Sequence, residues 1–281
     1  MDWELHPALT IADEREERMQ ADRERWEALA QQGIEAVMEA ARAELEEKNW
    51  VFMPDDSVLG FGEPFTKELT RLFNSGAVQR VKHDTPRGRK RARRVEYAHL
   101  LEGGGEDDIF IVGADSTSVH RSTDSNIAVR PHDYPTFPIE PYPLLRLFQR
   151  RMILLTAPRH HGIVQAVTAE VGTNMFDVTG LAATTKIHRD GEPFGFIRVE
   201  SRDARWGRTQ IYTNSKVGHA GRRATVSAEI PVGGLLIFRG NPEHAVTTLL
   251  PPNMMGHPRV PHRRTMVMTI AHYPRAFGSG T

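Results

Sequence analysis

Apolar residues recur with a helical period through the first third of the chain. Residues 12–49 contain no proline and one glycine, Gly33. Gaps of three and four separate their apolar positions, which places those side chains on one helical face; the positions are Trp26, Leu29, Ala30, Ile34, Val37, Met38, Ala41 and Leu45. We predict one long amphipathic helix packed on a core here, and shorter helices over residues 63–72 and 144–155.

The pattern changes from about residue 162 onward. Short runs rich in Val, Ile, Thr and Phe alternate with glycines and charged turns, as in GIVQAVTAEV, FGFIRVES, TQIYTNS, ATVSAEIPV, GLLIFRG and TMVMTIAHY. Because the helices precede these runs, the pattern favours a β sandwich or barrel over a parallel sheet. We predict an α+β fold in a single domain over 1–281, with a mainly helical part and connector over 1–160 and a β core over 161–275.

Composition narrows the possible chemistry. Lys and Arg total 36, as do Asp and Glu, so a zero formal net charge gives no global case for a nucleic-acid partner. The chain has no cysteine, which excludes disulfides, thiolate metal sites and thiol nucleophiles and leaves its 13 histidines for metal chemistry. It also has no membrane-length apolar run, and its first ten residues do not resemble a signal peptide. We therefore expect a cytoplasmic protein.

One basic run stands out, RGRKRARR over residues 87–94. It is either a patch for phosphate or an acidic substrate, or a solvated surface loop. Tyr97 is the one aromatic residue nearby, whereas nucleic-acid grooves need several for stacking. We favour the surface loop.

Two histidines and an aspartate are the strongest candidates for a metal site. His188 and Asp190 are two residues apart, so on a strand both face the same side, and His244 follows the predicted strand GLLIFRG. Two imidazoles and a carboxylate on one face of a metal leave the opposite positions open, as in non-haem Fe(II) oxygenases. The alternative is that these are ordinary histidines of a β sandwich.

A receptor for a carboxylate follows later in the chain. Arg263 and Thr265 share one face of a predicted strand, and a guanidinium beside a hydroxyl binds a distal carboxylate well. Arg264 points to the other face, so we expect Arg263 to be the residue that enters the pocket.

Substrate contacts are less sharply indicated. Arg198 either faces inward with Asp190 or is a surface charge, while Gln210 and Tyr212 share a strand face and are candidate hydrogen-bonding groups. We expect His262 and His272 to be loop or rim residues.

The motif His188-Arg189-Asp190, then His244, then Arg263-x-Thr265 resembles that of the Fe(II)/2-oxoglutarate-dependent dioxygenases. The sequences HRDG at 188–191 and FGFI at 194–197 are more closely similar to the bacterial free amino acid hydroxylases of the isoleucine dioxygenase type. The resemblance covers roughly residues 170–272 and departs at Glu192-Pro193 and in the insert at 251–262.

This resemblance implies a double-stranded β-helix, or jelly-roll, core that binds Fe(II) through His188, Asp190 and His244. It also implies 2-oxoglutarate as cosubstrate on Arg263 and Thr265, O2 as oxidant, and hydroxylation of an unactivated C–H bond in a free amino acid or small derivative. Desaturation and ring closure stay open as outcomes. The alternatives are a same-fold oxygenase acting on nucleic acid or protein side chains, and a non-enzymatic β-sandwich binding module. The oligomeric state is also open, with a homodimer as one option.

Overall fold

The computed structural model describes residues 7–80, 89–112, 135–179, 189, 192–203, 205–212, 224–240, 242–247, 249–250 and 260–274. His188 and Asp190 of the predicted metal site lie outside these residues.

The predicted long helix is in fact two helices, α1 (Pro7–Ala30) and α2 (Ile34–Lys48). Gly33 separates them with a φ of 111°, a backbone conformation that glycine adopts at little cost. α2 ends at Asn49, whose left-handed conformation lets its N–H bond the carbonyl of Leu45. The apolar periodicity therefore predicted helical structure correctly, but it did not predict the break at Gly33.

The two shorter helices are confirmed as α3 (Gly62–Asn74) and α4 (Pro143–Thr156). Two 3-10 turns, Asp56–Leu59 and Glu106–Asp108, precede α3 and β3. None of the helices in the described part of the chain is long and apolar enough to cross a membrane.

The strands confirm the α+β class. They are β1 (Trp50–Met53), β2 (Arg89–Leu100), β3 (Ile109–Val112), β4 (Arg159–His160), β5 (Ile163–Val164), β6 (Val167–Thr179), β7 (Phe194–Arg202), β8 (Arg205–Trp206), β9 (Thr209–Tyr212), β10 (Val226–Ala228), β11 (Leu235–Arg239), β12 (Glu243–Val246), β13 (Leu249–Leu250) and β14 (His262–Pro274). The large sheet runs β1-β11-β7-β14-β6-β2-β3, and a smaller one runs β10-β9-β12. All pairings within these two sheets are antiparallel.

The helices cover one face of the large sheet. Phe196 of β7 and Met268 of β14 belong to a buried apolar cluster that also contains Phe65 of α3 and Phe148 of α4. We call this side of the large sheet the helix face.

The opposite face packs against the smaller sheet. Ile197 and Val199 of β7 share a second buried cluster with Ile211 of β9 and Val226 of β10. We call this side the inner face. Since successive strand residues point to opposite sides, the position of a residue along its strand decides which face it serves.

The basic run lies largely within strand β2, which pairs with β6 on one side and β3 on the other. Ala92 and Arg93 are buried, and Arg94 on the helix face pairs with Glu96 at 3.0 Å and donates to the carbonyl of Phe137. The interpretation as a solvated loop is therefore wrong for residues 89–94. Residues that are distant in sequence balance the charges of a segment whose composition alone is typical of the protein surface.

His272 is not a rim residue, because it lies within β14 in contact with α4. Its Nε2 is 2.8 Å from the Thr156 hydroxyl, whose own proton is directed at helix carbonyls. Nε2–H is thus the donor, and Nδ1 is buried with no partner among the described residues. Burial lowers the pKa of His272 to about 4.

This largely buried neutral imidazole should make stability depend on pH. Between its ordinary pKa of 6.5 and about 4, the unfolded chain binds a proton that the folded chain does not, so stability is lost as the pH falls through this window. The loss is at most about 3 kcal/mol. When the pH is lowered from 7.5 to 5, we expect the melting temperature of His272→Leu to fall less than that of wild type, as measured by thermal unfolding. His160→Leu, on an exposed strand, serves as the control, and an unchanged pH dependence in His272→Leu would refute the assignment.

Candidate active site between the two sheets

His244 points from β12 into the space between the sheets. It is 7% exposed and pairs directly with Ile211, which belongs to the inner apolar cluster. Its Nδ1 lies 3.3 Å from the carbonyl oxygen of Pro242. Because a carbonyl only accepts, Nδ1 carries the proton and Nε2 carries the lone pair that a divalent metal binds.

A glycine shapes the surroundings of this imidazole. The ring of Phe238 lies 5.6 Å from that of His244 and reaches back across β7. A Cβ atom at Gly195 would come within 2.2 Å of that phenyl ring, so only glycine allows this close approach. Gly195 and Phe238 thereby place an apolar wall against one side of His244.

Arg263 is a buried cation on the inner face. It is 5% exposed, and its Nε and Nη2 atoms have no hydrogen-bond partner among the described residues. Burial, together with the nearby charge of Arg202, lowers the pKa of Arg263 to about 10, and Glu229 opposes the shift. The guanidinium therefore stays charged at neutral pH with donor atoms directed at no described acceptor. Such a group fits an anionic ligand.

The neighbouring arginine is already engaged on the other side of the strand. Arg264 pairs with Asp177 at 3.3 Å, and its guanidinium lies 5.4 Å from the ring centre of Phe73 in α3. Thr265 alternates back to the inner face with Arg263 and is 7% exposed. The predicted register is thus supported, with Arg263 and Thr265 on one side and Arg264 on the other.

The HRDG motif has one described residue, Arg189. Its Nε lies 4.0 Å from a carboxylate oxygen of Glu243, the residue before His244. The side chain of Arg189, which stands between the two predicted first ligands in sequence, therefore reaches the strand that carries the third. No group of three potential metal-binding side chains occurs within the described residues, which do not include His188 or Asp190.

Arg198 lies on the helix face, so the expectation that it binds substrate in a pocket with Asp190 is not supported. It donates to Asp56 Oδ2 at 2.5 Å and to Thr66 Oγ1 at 2.7 Å, and its guanidinium lies over the ring of Phe65. Burial raises the pKa of Asp56, and Arg198 opposes that shift. This fully buried pair ties α3 and the turn before it to the large sheet.

Gln210 and Tyr212 also lie away from His244. They alternate with Ile211 on β9 and face the outer side of the smaller sheet, where the Tyr212 hydroxyl donates to Gln210 Oε1 at 3.0 Å. Thr209 shares the inner side with Ile211, and its buried hydroxyl has no partner among the described residues. If Ile211 had been recognised as the residue that faces inward, the alternation of β9 would have indicated Thr209, and not Gln210 or Tyr212, as the candidate pocket residue.

A cavity of about 960 Å³ lies on the helix face rather than at His244. Arg42 of α2, Thr156 of α4 and His272 of β14 contribute to its wall, together with Arg239 at the end of β11. It does not include His244 or Arg263, so it is separate from the candidate site.

No family model and no curated protein matches the chain. Solved structures do resemble it. IDO from Bacillus thuringiensis has a TM-score of 0.55 at 14% identity, with 84% of this chain and 95% of that one covered. A bsmA homologue from Methylobium petroleophilum PM1 has a TM-score of 0.58 at 18% identity, covering 83% and 92%. The Fe(II)/α-ketoglutarate-dependent dioxygenase TqaL has a TM-score of 0.54 at 10% identity, covering 90% and 93%. The chain therefore shares the fold of 2-oxoglutarate–Fe(II) oxygenases.

Proposed function

We propose that the chain, acting as one domain over 1–281, is an Fe(II)- and 2-oxoglutarate-dependent oxygenase. It would hydroxylate or otherwise oxidise an unactivated C–H bond of a free amino acid or small amino acid derivative. One observation carries the proposal. A buried, charged and incompletely bonded guanidinium, Arg263, lies on the inner face toward which His244 also points.

The proposed roles follow from the residues themselves. Arg263 and Thr265 would hold the distal carboxylate of 2-oxoglutarate, and His244 would bind the metal through Nε2. His188 and Asp190 would complete the ligand set, and the contact of Arg189 with Glu243 supports their approach to β12. A bound iron would supply the activation of O2 that this chemistry requires.

The walls of the site suit an ion pair. Val199, Ile211 and Phe238 form a buried apolar surface beside it. Excluding water in this way strengthens the attraction between Arg263 and a carboxylate, because the local dielectric constant is lower than in bulk solvent.

A small substrate is favoured over a macromolecule. The basic run was the one sequence feature that favoured nucleic acid, and β2 directs Arg93 to a buried position instead of a solvated stripe. The HRDG resemblance supports an amino acid or its derivative.

The test is a turnover screen. The protein is incubated with Fe(II), 2-oxoglutarate, ascorbate and each amino acid or simple derivative, and succinate is measured against the substrate-free rate. We expect at least one of these compounds to stimulate succinate formation. Stimulation by an oligonucleotide or peptide alone would overturn the substrate assignment, and no succinate under any condition would overturn the oxygenase assignment.

A further inference from the structure

We propose that the cavity on the helix face binds a small carboxylic acid with an apolar body, and that this ligand strengthens metal binding at His244. We call it the helix-face cavity. Its volume of about 960 Å³ lies within the range of about 300–1,000 Å³ that is typical of small-molecule sites. The effect on the metal rests on the proposed function, whereas binding of the acid does not.

Three arginines lie in the wall of the helix-face cavity, and one described carboxylate forms all of their ion pairs. Arg42 pairs with Glu39 at 2.5 Å, and Arg159 is 3.8 Å from the same carboxylate oxygen. Arg239 makes no ion pair with a described residue. The wall therefore carries positive charge that its ion pairs do not neutralise, which favours an anionic ligand.

The acids in the described part of the wall are Glu46 and Glu102. Both are exposed, and neither forms an ion pair with the three arginines. Burial lowers the pKa of Arg42, and Glu46 is among the groups that oppose this shift. Because solvent screens exposed charges, these two acids compensate the arginines only weakly.

The register of β11 directs Arg239 to the helix face. Leu235 and Ile237 belong to the apolar cluster under the helices, and Arg239 follows at the same two-residue spacing. It pairs directly with Phe194 of β7, whose ring lies 5.9 Å from that of His272. The imidazole is neutral at pH 7 because burial lowers its pKa to about 4. Two uncharged rings near an unpaired guanidinium fit an acid with an apolar body better than an inorganic anion.

The wall also contains the two chain segments that lead to the predicted metal ligands. Pro193 follows the HRDG motif by two residues, and Gly240 precedes His244 by four. The Gly240 N–H donates to the Pro193 carbonyl oxygen at 2.7 Å, which joins the two segments. A ligand held by Arg239 would restrict both segments and so reduce the conformational entropy that metal binding has to overcome.

The first experiment measures binding of acids to the full chain. Thermal unfolding is recorded with acetate, butyrate, hexanoate, octanoate, benzoate and phenylacetate, with inorganic phosphate, and with hexanamide and phenylacetamide. A ligand that binds the folded state raises the melting temperature. Dissociation constants are then measured by titration for the acids that stabilise the wild type.

Four variants locate the binding site. Arg239→Gln removes the unpaired cation, and Ala166→Trp places an indole in the cavity wall without changing its charge. Arg23→Gln removes an exposed arginine of α1 that lies outside the cavity. Arg263→Met removes the cation of the candidate active site, so it reports whether the acid binds there instead.

We expect at least one of the larger acids to stabilise the wild type, Arg23→Gln and Arg263→Met, whereas acetate, phosphate and the two amides do not. Arg239→Gln should bind that acid about 10- to 100-fold more weakly, which corresponds to the loss of a charged hydrogen bond. Ala166→Trp should not bind it. No stabilisation by any larger acid, equal binding by Arg239→Gln, or loss of binding in Arg263→Met would overturn the site. If Ala166→Trp does not fold, Arg239→Gln decides.

The second experiment measures the dissociation constant of Mn(II), a redox-inactive substitute for Fe(II), with and without the acid. We expect the acid to lower this constant by about fivefold or more in the wild type, and Mn(II) to lower that of the acid by the same factor. Arg239→Gln at the same acid concentration controls for direct binding of Mn(II) by the acid.

The outcomes separate the two proposals. Unchanged Mn(II) affinity in the presence of bound acid would overturn the effect on the metal and leave the proposed function intact. Absence of Mn(II) binding by the wild type would count against the proposed function and against the effect on the metal, while binding of the acid is decided by the first experiment.

Discussion

Replacing His244 by alanine is expected to abolish succinate formation from 2-oxoglutarate and to weaken Fe(II) binding sharply. The imidazole is buried, and the Pro242 carbonyl fixes its tautomer so that Nε2 carries the lone pair. Removing one of the three proposed protein ligands would leave too few for a stable site. Metal content after dialysis and succinate yield measure the two effects, and His188→Ala should behave in the same way.

A control variant shows whether the effect comes from losing a metal ligand or from losing a histidine at any position. His160 lies exposed on β4, and its ring meets that of His161 edge to face. We expect His160→Ala to keep its iron and its turnover. Thermal unfolding of apo His244→Ala checks that the fold is retained. If His244→Ala binds iron and turns over like wild type, His244 is not a ligand.

The parts of the fold that the sequence predicted are those where local periodicity agrees with tertiary burial. β14 illustrates this, since Met266, Met268 and Ile270 pack under the helices while Arg263 and Thr265 take the alternate face. The strict alternation of the strand made the split between Arg263 and Arg264 predictable. The same reasoning identified β7, β9 and β11.

The parts that the sequence did not predict depend on partners far away in the chain. β2 is rich in arginine, and it pairs along its whole length with β6 because residues such as Glu96 and Asn174 receive its charges. Arg198 finds its carboxylate in Asp56, 142 positions earlier. No local pattern indicates such a pairing, so the sequence left Arg198 open between an inward position beside Asp190 and a surface position, and neither describes its buried pair with Asp56.

The second large effect is expected at Arg263. We predict that Arg263→Met raises the KM for 2-oxoglutarate by about one to three orders of magnitude. One to three orders of magnitude correspond to about 1.4–4 kcal/mol, which overlaps the cost of about 2–5 kcal/mol for losing one partner of a buried charge pair. Steady-state kinetics with varied 2-oxoglutarate, together with equilibrium binding in the presence of Mn(II), measures the change.

Stability without ligand distinguishes a binding role from a structural one. Arg263 is a buried cation whose Nε and Nη2 lack a described partner, so methionine of similar length removes a desolvation penalty. We therefore expect the melting temperature of the apo protein to hold or rise in Arg263→Met while 2-oxoglutarate binding fails.

Arg264→Met is the matched control on the same strand. It removes Arg264 from Asp177, whose carboxylate keeps the contact with His262 at 3.0 Å. We expect this variant to lose stability and to keep its affinity for 2-oxoglutarate, the reverse of Arg263→Met. If Arg264→Met instead loses 2-oxoglutarate and Arg263→Met does not, the distal carboxylate lies on the helix face and the inner-face site is wrong. The two variants differ by one position along β14, so they test directly which face of the large sheet binds the cosubstrate.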